Sequence, residues 1–197
     1  MKRRRLTLVL LLFSVTAIIA QESTVSKYSL GAAFGKQKVG IPLVEMLEFP
    51  SHTSFLIEAT RKYGTPTQES WYQTVSVLTF ENTSLGSGYM LQSNIGRGIS
   101  LGKTLGLYPE LGLGLTHRFL PKEVFELSDG KYVPAKDLGS IKPAINLRAL
   151  IGYNTKSIFM YVSYQLTAEF LYNQDISFLP MNYLHLGVRY SLKPSEK

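Results

Sequence analysis

His52-Thr53-Ser54 places a histidine two residues from a serine, a spacing at which an imidazole can take the hydroxyl proton and make the serine a nucleophile toward an ester. The match is three residues long, and polar side chains gather wherever strands end. The other histidines, His117 and His185, fall on different strands and opposite faces, so the three do not assemble a metal-ligand set. The chain contains no cysteine, which removes disulfides, thiolate nucleophiles and thiolate metal sites. It also lacks a phosphate-binding glycine loop, a nucleophile elbow and a His-Glu-x-x-His pair, so no cofactor and no metal is expected. A larger polar set carries opposite charges at inward positions of several strands: Glu58, Glu110 and Glu169 against Arg118, Lys142, Arg148, His185 and Arg189. Charges on one face of apolar strands need partners, and their chemistry is ion pairing inside a closed space.

The elements that would position these groups are strands. From Leu105 to Leu115 the chain reads L-G-L-Y-P-E-L-G-L-G-L, so leucines occupy one face and Gly106, Tyr108, Glu110, Gly112 and Gly114 the other. The run is longer than the ~5 to 6 residues of a typical soluble strand and fits the ~9 to 11 tilted residues that cross a bilayer. Eight such segments recur, at about 26 to 36, 51 to 63, 70 to 81, 86 to 96, 104 to 119, 140 to 153, 157 to 171 and 181 to 192. Their connections alternate. Lys36 to Pro50 and Leu120 to Gly139 are long, Glu81 to Leu85 and Tyr172 to Pro180 are intermediate, and 64–69, 97–103 and 154–156 are short. Short turns on one side and longer loops on the other are the asymmetry of an outer-membrane barrel.

The faces segregate by charge. Ile158, Met160, Val162, Tyr164, Leu166, Ala168 and Phe170 share one side of their strand, as do Leu184, Leu186, Val188, Tyr190 and Leu192 of the last. These faces meet lipid, where an Arg or Lys near the midplane costs about 2 to 4 kcal/mol. Arg61 shares a face with Phe55, Ile57 and Ala59 and is expected near the periplasmic headgroups, beside Tyr63. The polar set, joined by Gln92, Asn94, Asn146 and Gln165, faces the lumen. Pairing across the fifth connection puts Glu110 opposite Arg148, and pairing across the sixth puts Lys142 near Glu169. The rival architecture, a soluble secreted barrel of the lipocalin type, turns the same apolar faces inward.

The ends fit export. Lys2 to Arg5, the apolar stretch Leu6 to Ile19 and Ala20 read as a signal peptide over 1–20 that is cleaved before Gln21, leaving 21–197 as one barrel domain. Its removal takes away four of 21 basic residues and no acidic ones, so the formal charge falls from +7 to +3 and nucleic-acid binding loses its electrostatic ground.

With its eight alternating strands and a last strand Tyr183-Leu-His-Leu-Gly-Val-Arg-Tyr190, the chain resembles the small outer-membrane β-barrel proteins of Gram-negative bacteria, the OmpA-like and OmpW-like group. The resemblance implies an all-β, eight-stranded antiparallel up-and-down transmembrane barrel in the outer membrane. Its expected partners are outer-membrane lipid and, during biogenesis, the barrel-assembly machinery. Such proteins end on an aromatic residue, whereas Ser191 to Lys197 follow Tyr190 here. The His-x-Ser spacing at 52–54 resembles that of barrel lipid A deacylases, which carry it late in the chain. Eight strands leave little lumen beyond their own side chains. The expected function is therefore non-catalytic, structural or surface-interacting, with a plugged interior and an extracellular partner met through loops 36–50 and 120–139. A hydrophobic-solute conduit of the OmpW kind and an envelope lipid-modifying enzyme are the alternatives.

Overall fold

The computed structural model describes residues 27–40, 52–63, 70–83, 85–119, 124–128, 131–135, 138–155, 157–171 and 177–192, with the backbone alone for 124–128 and 131–135. The expected signal segment 1–20, most of loop 36–50, part of loop 120–139 and the tail 193–197 lie outside the described residues. Eight long strands form the wall: β1 Tyr28–Val39, β2 His52–Lys62, β3 Trp71–Phe80, β4 Ser87–Arg97, β5 Leu105–Phe119, β6 Ser140–Asn154, β7 Ile158–Phe170 and β8 Phe178–Ser191. Each pairs antiparallel with its sequence neighbour, and β1 pairs with β8, so the sheet closes on itself. Closure satisfies every strand edge, which a bilayer interior demands.

Two boundaries differ from the sequence expectation. β1 runs on to Val39, because Gln37 keeps the inward parity and accepts a hydrogen bond from Asn82 Nδ2 at 3.3 Å, and Gly40, with φ of 134°, then ends the strand. β8 starts three residues early, pairing Phe178 with Phe170. In the connection between β5 and β6, Val124–Ser128 and Lys131–Ala135 form a separate two-stranded hairpin.

Three prolines within wall strands sit where pairing on one side has just ended. Pro109 lies beyond the Gly96–Glu110 pair, Pro143 beyond Glu169–Ala144 and Pro180 beyond Val39–Met181. A residue with no N–H is tolerated at such ladder ends.

Parity sorts the two faces as the charge pattern requires. Leu111, Leu113 and Leu115 are exposed on the outer wall, with Leu113 68 % accessible, whereas Glu110 between them is 1 % accessible. At the terminus end, where β1 begins and β8 finishes, Arg61 lies outside over the rings of Tyr28 and Tyr63, and Arg97 lies over Trp71. At the opposite end Tyr89 Oη and His117 Nδ1 are 2.7 Å apart, and His117 Nε2 is 2.9 Å from the Leu138 carbonyl. These rings bracket the apolar belt on both sides, as interfacial girdles do.

Candidate functional site

Side chains fill the lumen, and the most highly charged tier is a closed square of two acids and two bases. Arg148 Nη1 on β6 donates to Glu58 Oε2 on β2 at 2.7 Å and to Glu110 Oε2 on β5 at 3.4 Å. Arg189 on β8 donates through Nε to Glu58 Oε1 at 2.6 Å and through Nη2 to Glu58 Oε2 at 3.0 Å and Glu110 Oε1 at 3.1 Å. Each base thus touches both acids, and the square joins four strands across the lumen. All four side chains are shielded from solvent, Arg189 alone retaining slight exposure.

Neutral donors complete it. Tyr161 Oη donates to Glu58 Oε1 at 2.6 Å, and Asn94 Nδ2 donates to Glu110 Oε2 at 3.3 Å. Arg148 Nη2 reaches Tyr161 Oη at 3.3 Å and Ser163 Oγ at 3.4 Å, while its ring neighbour Tyr161 sits 5.5 Å from the guanidinium carbon. Two acids and two bases cancel in charge, so no net charge is stranded in the low-dielectric interior.

Missing side chains make the square possible. Glu58 and Arg189 stand on strands two apart, both in register with Gly31 of the intervening β1. A Cβ at Gly31 would lie 2.8 Å from Arg189 Cγ and 3.0 Å from Glu58 Oε1. Gly35 does the same one tier away, where Ser54 Oγ on β2 and His185 Nε2 on β8 meet at 3.0 Å. Gly112 stands in register between Asn94 and Asn146, and a Cβ there would run into the Asn94 side chain.

Toward the long-loop end, Gln165 Nε2 donates to Gln92 Oε1 across the lumen at 2.9 Å, and Thr167 Oγ1 donates to Asn146 Oδ1 at 2.9 Å. Beyond them Arg118 grips Glu169 with both Nε, at 3.3 Å, and Nη2, at 2.8 Å. The same guanidinium reaches the Leu85 carbonyl at 3.3 Å and lies 4.9 Å from the Phe80 ring centroid.

The sequence places Glu58, Glu110, Arg118, Arg148, Glu169, His185 and Arg189 in the lumen, and the structure buries all seven. Glu110 and Arg148 are directly opposite, as strand pairing requires. The expected partnership of Lys142 with Glu169 is corrected. Glu169 is held by Arg118, and Lys142 lies half-buried at the mouth, donating to the Leu171 carbonyl, because β6 pairs Ala144 with Glu169 and leaves Lys142 past the end of that ladder. Sequence reasoning overlooked Thr74 and Tyr72 beside the square, although both share the inward parity of their strand.

His52 is at the strand mouth and half-buried, while Ser54 is buried and bonded to His185 rather than to His52. A recess of about 590 Å³ lies on the outer wall among Val75, Leu91, Leu113, Leu115, Ile145 and Phe170, outside the lumen.

No protein-family model and no curated relative matches the sequence. Among solved structures, Neisserial surface protein A is similar over 86 % of this chain and 100 % of its own, with a TM-score of 0.59 at 12 % identity. The outer membrane enzyme PagL is similar over 83 % of this chain and 99 % of its own, with a TM-score of 0.50 at 12 % identity. Ail of Yersinia pestis follows at a TM-score of 0.48, 13 % identity, 84 % of this chain and 97 % of its own. The fold is that of a small outer-membrane barrel. The same conclusion follows from the faces: a soluble barrel of the lipocalin type would hide Leu111, Leu113 and Leu115 and expose Glu110 and Arg148, and this wall does the reverse. An apolar belt around the whole circumference far exceeds the few hundred Å² that soluble monomers expose.

Proposed function

We propose that this chain is exported by cleavage after Ala20, inserts in the outer membrane and acts there as a plugged barrel that presents loops at the cell surface, without transport or catalysis. One observation carries the reading: the square of Glu58, Arg148, Glu110 and Arg189 spans the lumen and ties four strands together with every charge matched. Conduction would require opening several buried ion pairs at once, and breaking even one by removing a partner costs about 3 to 5 kcal/mol. Arg118–Glu169 and Gln92–Gln165 add further bars along the same path.

Surface interaction is supported by the asymmetry of the connections. The longest of them, between β5 and β6, carries the hairpin Val124–Ser128/Lys131–Ala135. Loops 36–50 and 120–139 are the regions through which an extracellular partner is met. Ser54 and His185 are read as structural, since both are 1 % exposed and each is the other's hydrogen-bond partner at 3.0 Å.

Planar-bilayer recording tests the plug. Wild-type barrel is expected to give no steady conductance, and Arg148→Ala to open one. A steady wild-type conductance that Arg148→Ala abolishes would replace the plug with a path.

A further inference from the structure

The mouth at the terminus end holds a cation that the ion square leaves unbalanced. Glu58 and Glu110 are matched by Arg148 and Arg189, and Lys62, inward at the end of β2, adds a further positive charge. Among the described residues the Lys62 ammonium makes no hydrogen bond or ion pair. It lines a cavity of about 30 Å³ together with Arg189, Ser29, Thr60 and Ser191. Arg189 commits Nε and Nη2 to the two carboxylates, which leaves Nη1 to serve the cavity.

Thr60 Oγ1 lies 3.1 Å from Thr74 Oγ1, and because Thr74 donates its own proton to Glu110 Oε1 at 3.5 Å, the Thr60 proton goes to Thr74; Ser29 and Ser191 remain as hydroxyl donors. Ser29 on β1 is in register with Thr60 on β2 and with Ser191 on β8, so the hydroxyls stand side by side between Lys62 and Arg189. Around the same rim the described charged side chains, Lys27, Arg61, Lys62, Arg97 and Lys103, are all basic, and no described acid stands among them. An ammonium, a guanidinium N–H and the hydroxyls of Ser29 and Ser191 present donors in one place, and among the described residues no carboxylate at this rim receives them. Charge-assisted hydrogen bonds of this kind bind oxyanions, and guanidinium suits the oxygens of phosphate in particular.

We propose that this mouth binds a phosphate group, with Lys62 and Arg189 Nη1 taking its charge and the hydroxyls of Ser29 and Ser191 donating to its oxygens. The cavity, close to the ~30 Å³ that one water occupies in the liquid, admits the oxygens of one phosphate edge and leaves the rest of the group outside. Free phosphate and the phosphodiester of an anionic phospholipid in the adjoining leaflet offer the same chemistry.

The experiment uses the folded barrel, its folding verified by faster gel migration before boiling. In one arm, inorganic phosphate is titrated at constant ionic strength in a zwitterionic detergent and read by ³¹P line broadening. In the other, barrel in mixed-lipid nanodiscs is assayed for retention of phosphatidylglycerol over phosphatidylcholine. Saturable broadening that weakens about tenfold or more in Lys62→Met and in Ser29→Ala/Ser191→Ala identifies a free-anion site. Selective phosphatidylglycerol retention lost in Lys62→Met, with no phosphate broadening, identifies a headgroup site. Failure of both arms, or equal weakening by Lys103→Gln at the exposed rim, overturns the proposal.

Discussion

Glu58 and Arg189 stand on strands that do not touch, yet Arg189 Nε donates to Glu58 Oε1 at 2.6 Å because Gly31 lies between them and offers no side chain. In a barrel this narrow, one position without a Cβ lets its two flanking strands bond over it. The ion square therefore depends on a residue that carries no charge.

Gly31→Ala is expected to destabilise the barrel by about 1 to 3 kcal/mol, the usual cost of overpacking, because its Cβ would fall 2.9 Å from the Val188 carbonyl as well as against Arg189. Gly31→Val should cost more. Urea midpoints in lipid vesicles check this, and an unchanged midpoint for both variants would show that the square does not need the gap.

Arg189→Met strands Glu58 with fewer donors and is expected to cost about 3 to 5 kcal/mol, whereas Glu58→Gln combined with Arg189→Met should cost less than the sum of the singles. The coupling in that double-mutant cycle is expected at about 1 to 3 kcal/mol. Additive losses would mean that the two side chains are held by their surroundings and not by each other.

The outer wall makes a depth-dependent prediction. Leu113→Arg, in the middle of the belt, should cost about 2 to 4 kcal/mol in folding free energy, and Ile99→Arg, close to the terminus-end rim, about 0 to 1. Equal costs measured in vesicles would contradict a membrane-facing β5.

Ser54→Ala removes the partner of His185 Nε2 in a buried setting, and a stability loss of about 1 to 3 kcal/mol is expected. Incubation of wild type with lipid A should release no fatty acid by mass spectrometry. Release that disappears in Ser54→Ala would make the pair catalytic.

Strand parity made most of this molecule legible. Alternation at Leu105–Leu115 and Ile158–Phe170 settled which face each charge takes, and hairpin counting brought Glu110 to Arg148, since adjacent strands pair by a fixed sum of residue numbers. Contacts between strands that are not neighbours follow no such rule. Arg118 on β5 holds Glu169 on β7, and Glu58 on β2 holds Arg189 on β8, because long side chains reach over small ones toward the barrel axis. The inward glycines were the available signal: Gly31 and Gly35 each mark a place where the flanking strands' side chains meet. Lys142 misled because its parity is inward, yet its position past the Ala144–Glu169 pair puts it at the mouth.

Membrane fractionation combined with gel migration of unboiled and boiled samples decides whether a closed barrel sits in the outer membrane. The protein is expected to fractionate with the outer membrane, to require detergent for extraction, and to run faster unboiled than boiled. Recovery from the periplasm as a detergent-free soluble protein, with one mobility before and after boiling, would contradict a membrane-seated barrel.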